Sequence, residues 1–194
     1  MNALAKMPVG MTVQEFLAWE PGDGRTWELV DGEPRAMAPA QATHSLLQGE
    51  LARLVGNHLL DKGGPCRAAT EAAVVPRVQS RRNVRVPDLI VTCTPGGGGE
   101  GMFHAPVLTA EILSPGIQAD TWSNVWTCIT IPTTMEVLVL HSTRIGAEVL
   151  RRCPDGGWPA DPAEATSGDL VLDSIGFRAP LADFHRTTRL RPGA

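Results

Sequence analysis

The sequence predicts an α/β (α+β) fold in which one central sheet carries helices on its faces. Three observations lead there. The runs VRVPDLIVTC and APVLTAEILSPG have the length and β-branched content of buried strands. MEVLVLH and IGAEVLRRC follow each other as a strand pair. Between Thr43 and Leu59, Leu47, Leu51, Leu54, Val55, His58 and Leu59 recur at helical spacing, with Gln48, Arg53 and Asn57 expected to face out. A chain of 194 residues with 43% hydrophobic content can bury one sizeable core, and nothing in it demands a second. Residues 11–186 are therefore expected to form one domain, between a loose leader at 1–10 and a tail at 187–194.

Taken in order, Thr12 and Glu15 stand at capping-box spacing ahead of a short helix with Val13, Phe16 and Leu17 on its apolar side. Asp31-Gly32 separates WELV from PRAM and suits a tight hairpin turn, since both residues tolerate positive φ. Thr43 or Ser45 can cap the long helix, which should stop at Gly63-Gly64-Pro65. Arg67 to Val78 alternates loosely as a strand containing Glu71. The glycine run 96–99 reads as a loop, with no G-K-[ST] to make it a phosphate cradle. DTWSNVWTCITIP has extended-chain composition but lies between two strands, where a crossover helix is needed, and a helix is assigned. A strand at Asp169–Leu172 and a helix at Pro180–His185 complete the order αββαβββαβββα.

The formal net charge of −4 argues against wholesale coating of nucleic acid, although Arg77, Arg81, Arg82 and Arg85 crowd one segment. Phosphate contact is one use for them; a solvated turn is the plainer one. Cys66, Cys93, Cys128 and Cys153 lie far apart with no C-x-x-C, which suits reduced thiols in the cytoplasm better than a disulfide frame or a zinc site. No apolar run approaches the ~20 residues of a membrane span, and no signal peptide is recognisable.

The chemical clue is one acid in each of two core strands: Asp88 and Glu111. A carboxylate in such a place loses several kcal/mol of hydration unless something positive meets it, so two together suggest a shared cation. Asp88 alone, after Pro87, could simply begin a strand.

MTVQEFLAWE, WELVDGEPRAMAPA, THSLLQGELARL, RVPDLIV, EILSPG and MEVLVL together resemble the Uma-two family of restriction endonucleases, within the PD-(D/E)xK nuclease superfamily. That resemblance implies a restriction-endonuclease-like fold with a central mixed β-sheet flanked by helices, cleavage of DNA assisted by Mg²⁺ or Mn²⁺, and frequent homodimers. It makes Asp88 the acid of the PD motif and Glu111 that of the ExK motif, with Glu28 and Glu71 as further metal ligands. It also places His44 where the family often has histidine. The sequence departs from the family at its lysine. Leu113 stands two residues after Glu111, and in the D-x-x-x-K-x-x-x-Y pattern that starts at Asp120, Asn124 takes the lysine position and Cys128 the tyrosine position. Two functions follow: a metal-dependent endonuclease, weakened by the loss, or an inactive member that binds nucleic acid or protein. Trp122 and Trp126, four apart, are expected to serve the core or a dimer contact rather than base stacking.

Overall fold

The structure, a computed structural model of the chain, describes residues 10–94 and 102–191. The expected leader, apart from Gly10, and the glycine run 96–99 lie outside them.

Helix α1 (Val13–Leu17) starts with the expected reciprocal cap: Glu15 N–H donates to Thr12 Oγ1 at 3.3 Å, and Thr12 N–H to the Glu15 carboxylate at 2.7 Å. Strands β1 (Trp27–Val30) and β2 (Glu33–Ala36) form the antiparallel hairpin, with φ of 52° at Asp31 and 88° at Gly32. Gly32 is required twice over, because a Cβ there would also stand 3.2 Å from Gly10 Cα.

Helix α2 (Ala42–Lys62) begins at a Gln41 cap that makes no side-chain bond, so neither Thr43 nor Ser45 caps it; both fall inside its first turn. Leu47, Leu51, Val55 and Leu59 form its buried stripe, and Glu50, which periodicity alone would send to solvent, is buried between Arg53 and Arg186. The largest sheet orders β3 (Arg67–Thr70), β4 (Leu89–Thr92), β5 (Pro106–Leu113), β6 (Glu136–His141), β7 (Ala147–Arg151) and β8 (Ala163–Ala165) side by side. Among the described residues only β5 and β6 pair in parallel, and α3 (Gln118–Cys128) is the crossover between them. Strands β9 (Asp169–Leu172) and β10 (Phe177–Pro180) make a separate hairpin leading into a 3₁₀ turn at Leu181–His185.

Several expectations need correction. The strand from Arg67 stops at Thr70, since Glu71 takes φ 49° and leaves the ladder. The strand carrying Asp88 starts one residue after it, because the antiparallel register would pair Asp88 with the same Glu71 that has left the ladder. Strands β8 and β10 went unread: the first is three residues of Ala-Glu-Ala, and the second ends in the proline taken for a helix start. The four cysteines are not all free. Cys66 and Cys93 are disulfide-bonded, because the β3–β4 register that pairs Arg67 with Thr92 sets their preceding and following residues side by side. Cys128 and Cys153 remain thiols. The expected cytoplasmic location thus loses part of its ground. No helix among the described residues is long and apolar enough to cross a membrane.

Alternation along β5 divides the core. Leu108, Ala110 and Ile112 pack beneath α2 with Leu89, Val91, Leu138 and Leu140. Thr109 and Glu111 therefore point to the opposite face, where Val125 of α3 packs on Val137, Val139 and Leu150. Trp122 leans on that second cluster, while Trp126, its ring centroid 6.0 Å away, is 42% exposed.

Candidate active site

Register brings the two acids together. Leu89 pairs with Ala110 across antiparallel β4 and β5, so one residue further along Asp88 stands opposite Glu111. Asp88 Oδ2 accepts the Ile112 N–H at 2.6 Å, and Oδ1 lies 3.0 Å from His44 Nε2. The other ring nitrogen of His44 is 3.2 Å from Ser114 Oγ, and Gln48 Nε2 donates to the Asp88 carbonyl at 3.1 Å. The start of α2 and the end of β5 thus hold one aspartate from both sides. Glu111 is different: it is 7% exposed, and its buried Oε1 has no hydrogen-bond partner.

Glu28 comes to the same place from the hairpin. Backbone bonds between Leu29 and Val84, at 3.0 and 2.9 Å, dock β1 on the segment before Asp88. Glu28 Oε1 then accepts the Val86 N–H at 2.8 Å and the Asn124 amide at 3.2 Å, while Oε2 faces Arg85 Nη1 at 3.6 Å. Arg85, grouped with the other arginines by sequence, leaves them: it is 5% exposed and belongs to the site. Arg77, Arg81 and Arg82 are exposed on the turn before it and do not line the cavity.

These groups surround a cavity of about 610 Å³ lined by Glu28, His44, Arg85, Asp88, Glu111, Ser114, Asp120 and Asn124, with Glu71, exposed, also on its wall. Arg25 and Arg35 line it too, which sequence reading missed; the one available signal was the β1–β2 register that sets Arg35 opposite Glu28. Arg25 is tied to Asp23 at 2.6 Å and stacks on Trp27, whereas Arg35 is exposed. His44 was missed as a site residue because its partner lies 44 positions away.

The electrostatics follow from burial. Loss of water, then the Asp88 and Glu28 charges, push the Glu111 carboxyl well above the usual carboxylate range, and Arg85 only partly opposes this. Burial also raises Glu28, against the lowering effects of the Val86 N–H, Arg85 and Asn124. The Cys128 thiol under the site is pushed up by burial and by the same two glutamates.

Among the described residues no three His, Cys, Asp or Glu side chains gather into a metal cage. A Mg²⁺ site does not need one, since one or two carboxylates, water and substrate phosphate complete its shell. The donor set fits such an ion: Asp88 and Glu111 supply hard oxygens, and Glu111 Oε1 is a buried oxygen left without a partner. Glu28 is already engaged three ways, and Glu71 lies at the solvent side.

The family profile described as "Putative restriction endonuclease", Uma2, matches residues 13–182. The chain belongs to the Uma2 family. An uncharacterized protein of Synechocystis sp. is 29% identical to it over 169 residues, covering 86% of this chain and 87% of that one. A crystal structure titled as a putative nuclease belonging to DUF820, from Anabaena variabilis, superposes with a TM-score of 0.72 at 19% identity, over 90% of this chain and 97% of that chain. The likeness to that structure establishes the shared fold, and with it the mixed sheet flanked by helices that the sequence predicted. All of the cavity's acids, Glu28, Glu71, Asp88, Glu111 and Asp120, fall inside the Uma2 match.

Proposed function

We propose that this Uma2 protein hydrolyses phosphodiester bonds of DNA, with Asp88 and Glu111 as the ligands of a Mg²⁺ or Mn²⁺ ion. The observation that supports it most is the pairing of a rigidly held Asp88 with a Glu111 oxygen that is buried and unpartnered beside it. A bound divalent ion would polarise a phosphoryl oxygen and acidify a water molecule. The chain's own part is orientation. The Ile112 N–H and His44 fix the Asp88 carboxylate, so it spends no rotamer freedom on binding. Glu28 and Glu71 are assigned the outer positions, Glu28 held by Val86 and Asn124 and Glu71 at the mouth. Arg77, Arg81 and Arg82 are assigned outlying phosphate contacts, and Arg35 a contact at the rim. The protein is proposed to act as a homodimer, and in the cytoplasm.

Incubating purified protein with supercoiled plasmid and Mg²⁺ or Mn²⁺ tests the reading. Nicking that disappears in Asp88→Ala is the expected result. Equal nicking by parent and variant would assign the activity elsewhere and refute it.

Asn124 favours a second reading, an inactive member that binds nucleic acid or a protein. Its amide donates to Glu28 and brings no charge to the cavity. Retained affinity for a duplex oligonucleotide in Ca²⁺, without nicking in Mn²⁺, would select that alternative.

A further inference from the structure

The guanidinium of Arg85 is buried without the bonds that normally accompany such burial. Its fork carries five N–H donors. The residue is 5% exposed, its Nε is buried with no partner, and its nearest anion, Glu28 Oε2, stands at 3.6 Å, beyond hydrogen-bond reach. A carboxylate meant to satisfy this arginine would meet it in a close two-pronged pair. Glu28 instead gives its other oxygen to Val86 and Asn124. Yet the backbone of Arg85 is firmly set, bonded to Val74 in both directions at 2.9 and 2.8 Å. The backbone is held still while Nε has no partner and the contact of Nη1 with Glu28 stays long.

Glu111 lines the same cavity, and its buried Oε1 is likewise without a partner. An unsatisfied buried donor and an unsatisfied buried acceptor that share a cavity without pairing are both completed by one kind of ligand: a phosphate with a cation on its far side. From this we infer that Arg85 binds the scissile phosphate and supplies the fixed positive charge at the reacting phosphorus, which Asn124 cannot. The inference rests on the nuclease reading and names the residue that carries its electrostatics. In the step it serves, a water oxygen forms a bond to phosphorus, the bond from phosphorus to the leaving ester oxygen breaks, and one water proton ends on the leaving alcohol by way of solvent. Arg85 is neither acid nor base in this step; a guanidinium contributes a fixed charge. It acts by a charge already in place where charge gathers.

The test compares parent, Arg85→Met, Arg85→Lys and the double variant Arg85→Met/Asn124→Lys in plasmid nicking, Mn²⁺ calorimetry, binding of a short DNA duplex in Ca²⁺, and thermal melting. Arg85→Met is expected to nick about 100 to 1000-fold more slowly, the usual cost of one such donor. Its Mn²⁺ affinity should hold or tighten, because a repelling charge has gone. Asn124→Lys in that background should restore at least about tenfold, and Arg85→Lys should stay within about tenfold of the parent. Parent-like nicking by Arg85→Met overturns the inference. So does loss of Mn²⁺ binding together with a lowered melting temperature, which would mark Arg85 as a structural partner of Glu28. Should Arg85→Met not fold, Arg85→Lys decides, and loss of nicking in a folded lysine variant refutes the role. If neither the parent nor Asn124→Lys nicks, the nuclease reading fails by itself. Duplex affinity then still judges Arg85: weakening of about tenfold in Arg85→Met upholds an anion site, and unchanged affinity removes it.

Discussion

Replacing Glu111 by glutamine keeps the side chain's shape and removes its ionisation. The carboxyl is raised in the folded protein by burial first and then by Asp88 and Glu28, so without metal the folded state holds this proton more tightly than the unfolded chain. The sign follows directly. Stability from this group is fully present below the unfolded value, near 4.5, and is lost as pH climbs from there toward the raised folded value. While one proton separates the two states, the slope is about 1.4 kcal/mol per pH unit. For a chain of this size that is about 3–6 °C of melting temperature per pH unit. Glu111→Gln should lack that component. The level of its curve is uninformative, because a buried amide without partners has its own cost of about 1–3 kcal/mol; the slope is the observable. Adding Mn²⁺ at about 100 times its dissociation constant should stabilise the parent by about 2.7 kcal/mol and the variant by much less. Scanning calorimetry from pH 5 to 8, in chelator and in Mn²⁺, measures both effects. Parallel pH curves and equal metal responses would refute the claim that Glu111 is an unpaired acid awaiting a cation.

Three further outcomes are expected. His44→Ala frees Asp88 Oδ1 and should weaken Mn²⁺ binding about 10 to 100-fold in calorimetry, with the fold intact by circular dichroism; unchanged affinity would deny His44 its orienting part. Reducing the Cys66–Cys93 bond, which spans 27 positions, should cost about 3.5 kcal/mol by loop entropy, or about 7–14 °C in a melt with and without reductant. A melt indifferent to reductant would contradict a formed bond. Asn124→Lys in the otherwise unchanged chain should speed plasmid nicking, and no change would mean that α3 aims position 124 toward Glu28 and away from the phosphate.

Much of the site was legible because it is written locally. Asp88 and Glu111 each stand out in an apolar run of sequence, and the WELVDGEPRA hairpin announced itself through turn chemistry, carrying Glu28 with it. Helix α3 could be placed only by topology: its β-favouring residues suit the protein because Val125 and Trp122 pack on the sheet, a tertiary gain that outweighs local preference. Arg85 was indistinguishable in sequence from Arg81 and Arg82, and the difference is the docking of Val74 and Leu29 on either side of it.

The chain alone specified a sheet with helices, a capped α1, the long α2, and two acids in neighbouring apolar runs, because periodicity, turn residues and misplaced charges are properties of short segments. Register and docking decided the rest. His44 meets Asp88 across 44 positions, Val86 meets Glu28 across 58, and Asn124 meets Glu28 across 96. The Cys66–Cys93 bond is of the same kind, set by which residues two strands place side by side. Partners that far apart are chosen when sheet, helix and hairpin close on one core, and no window of sequence contains that choice.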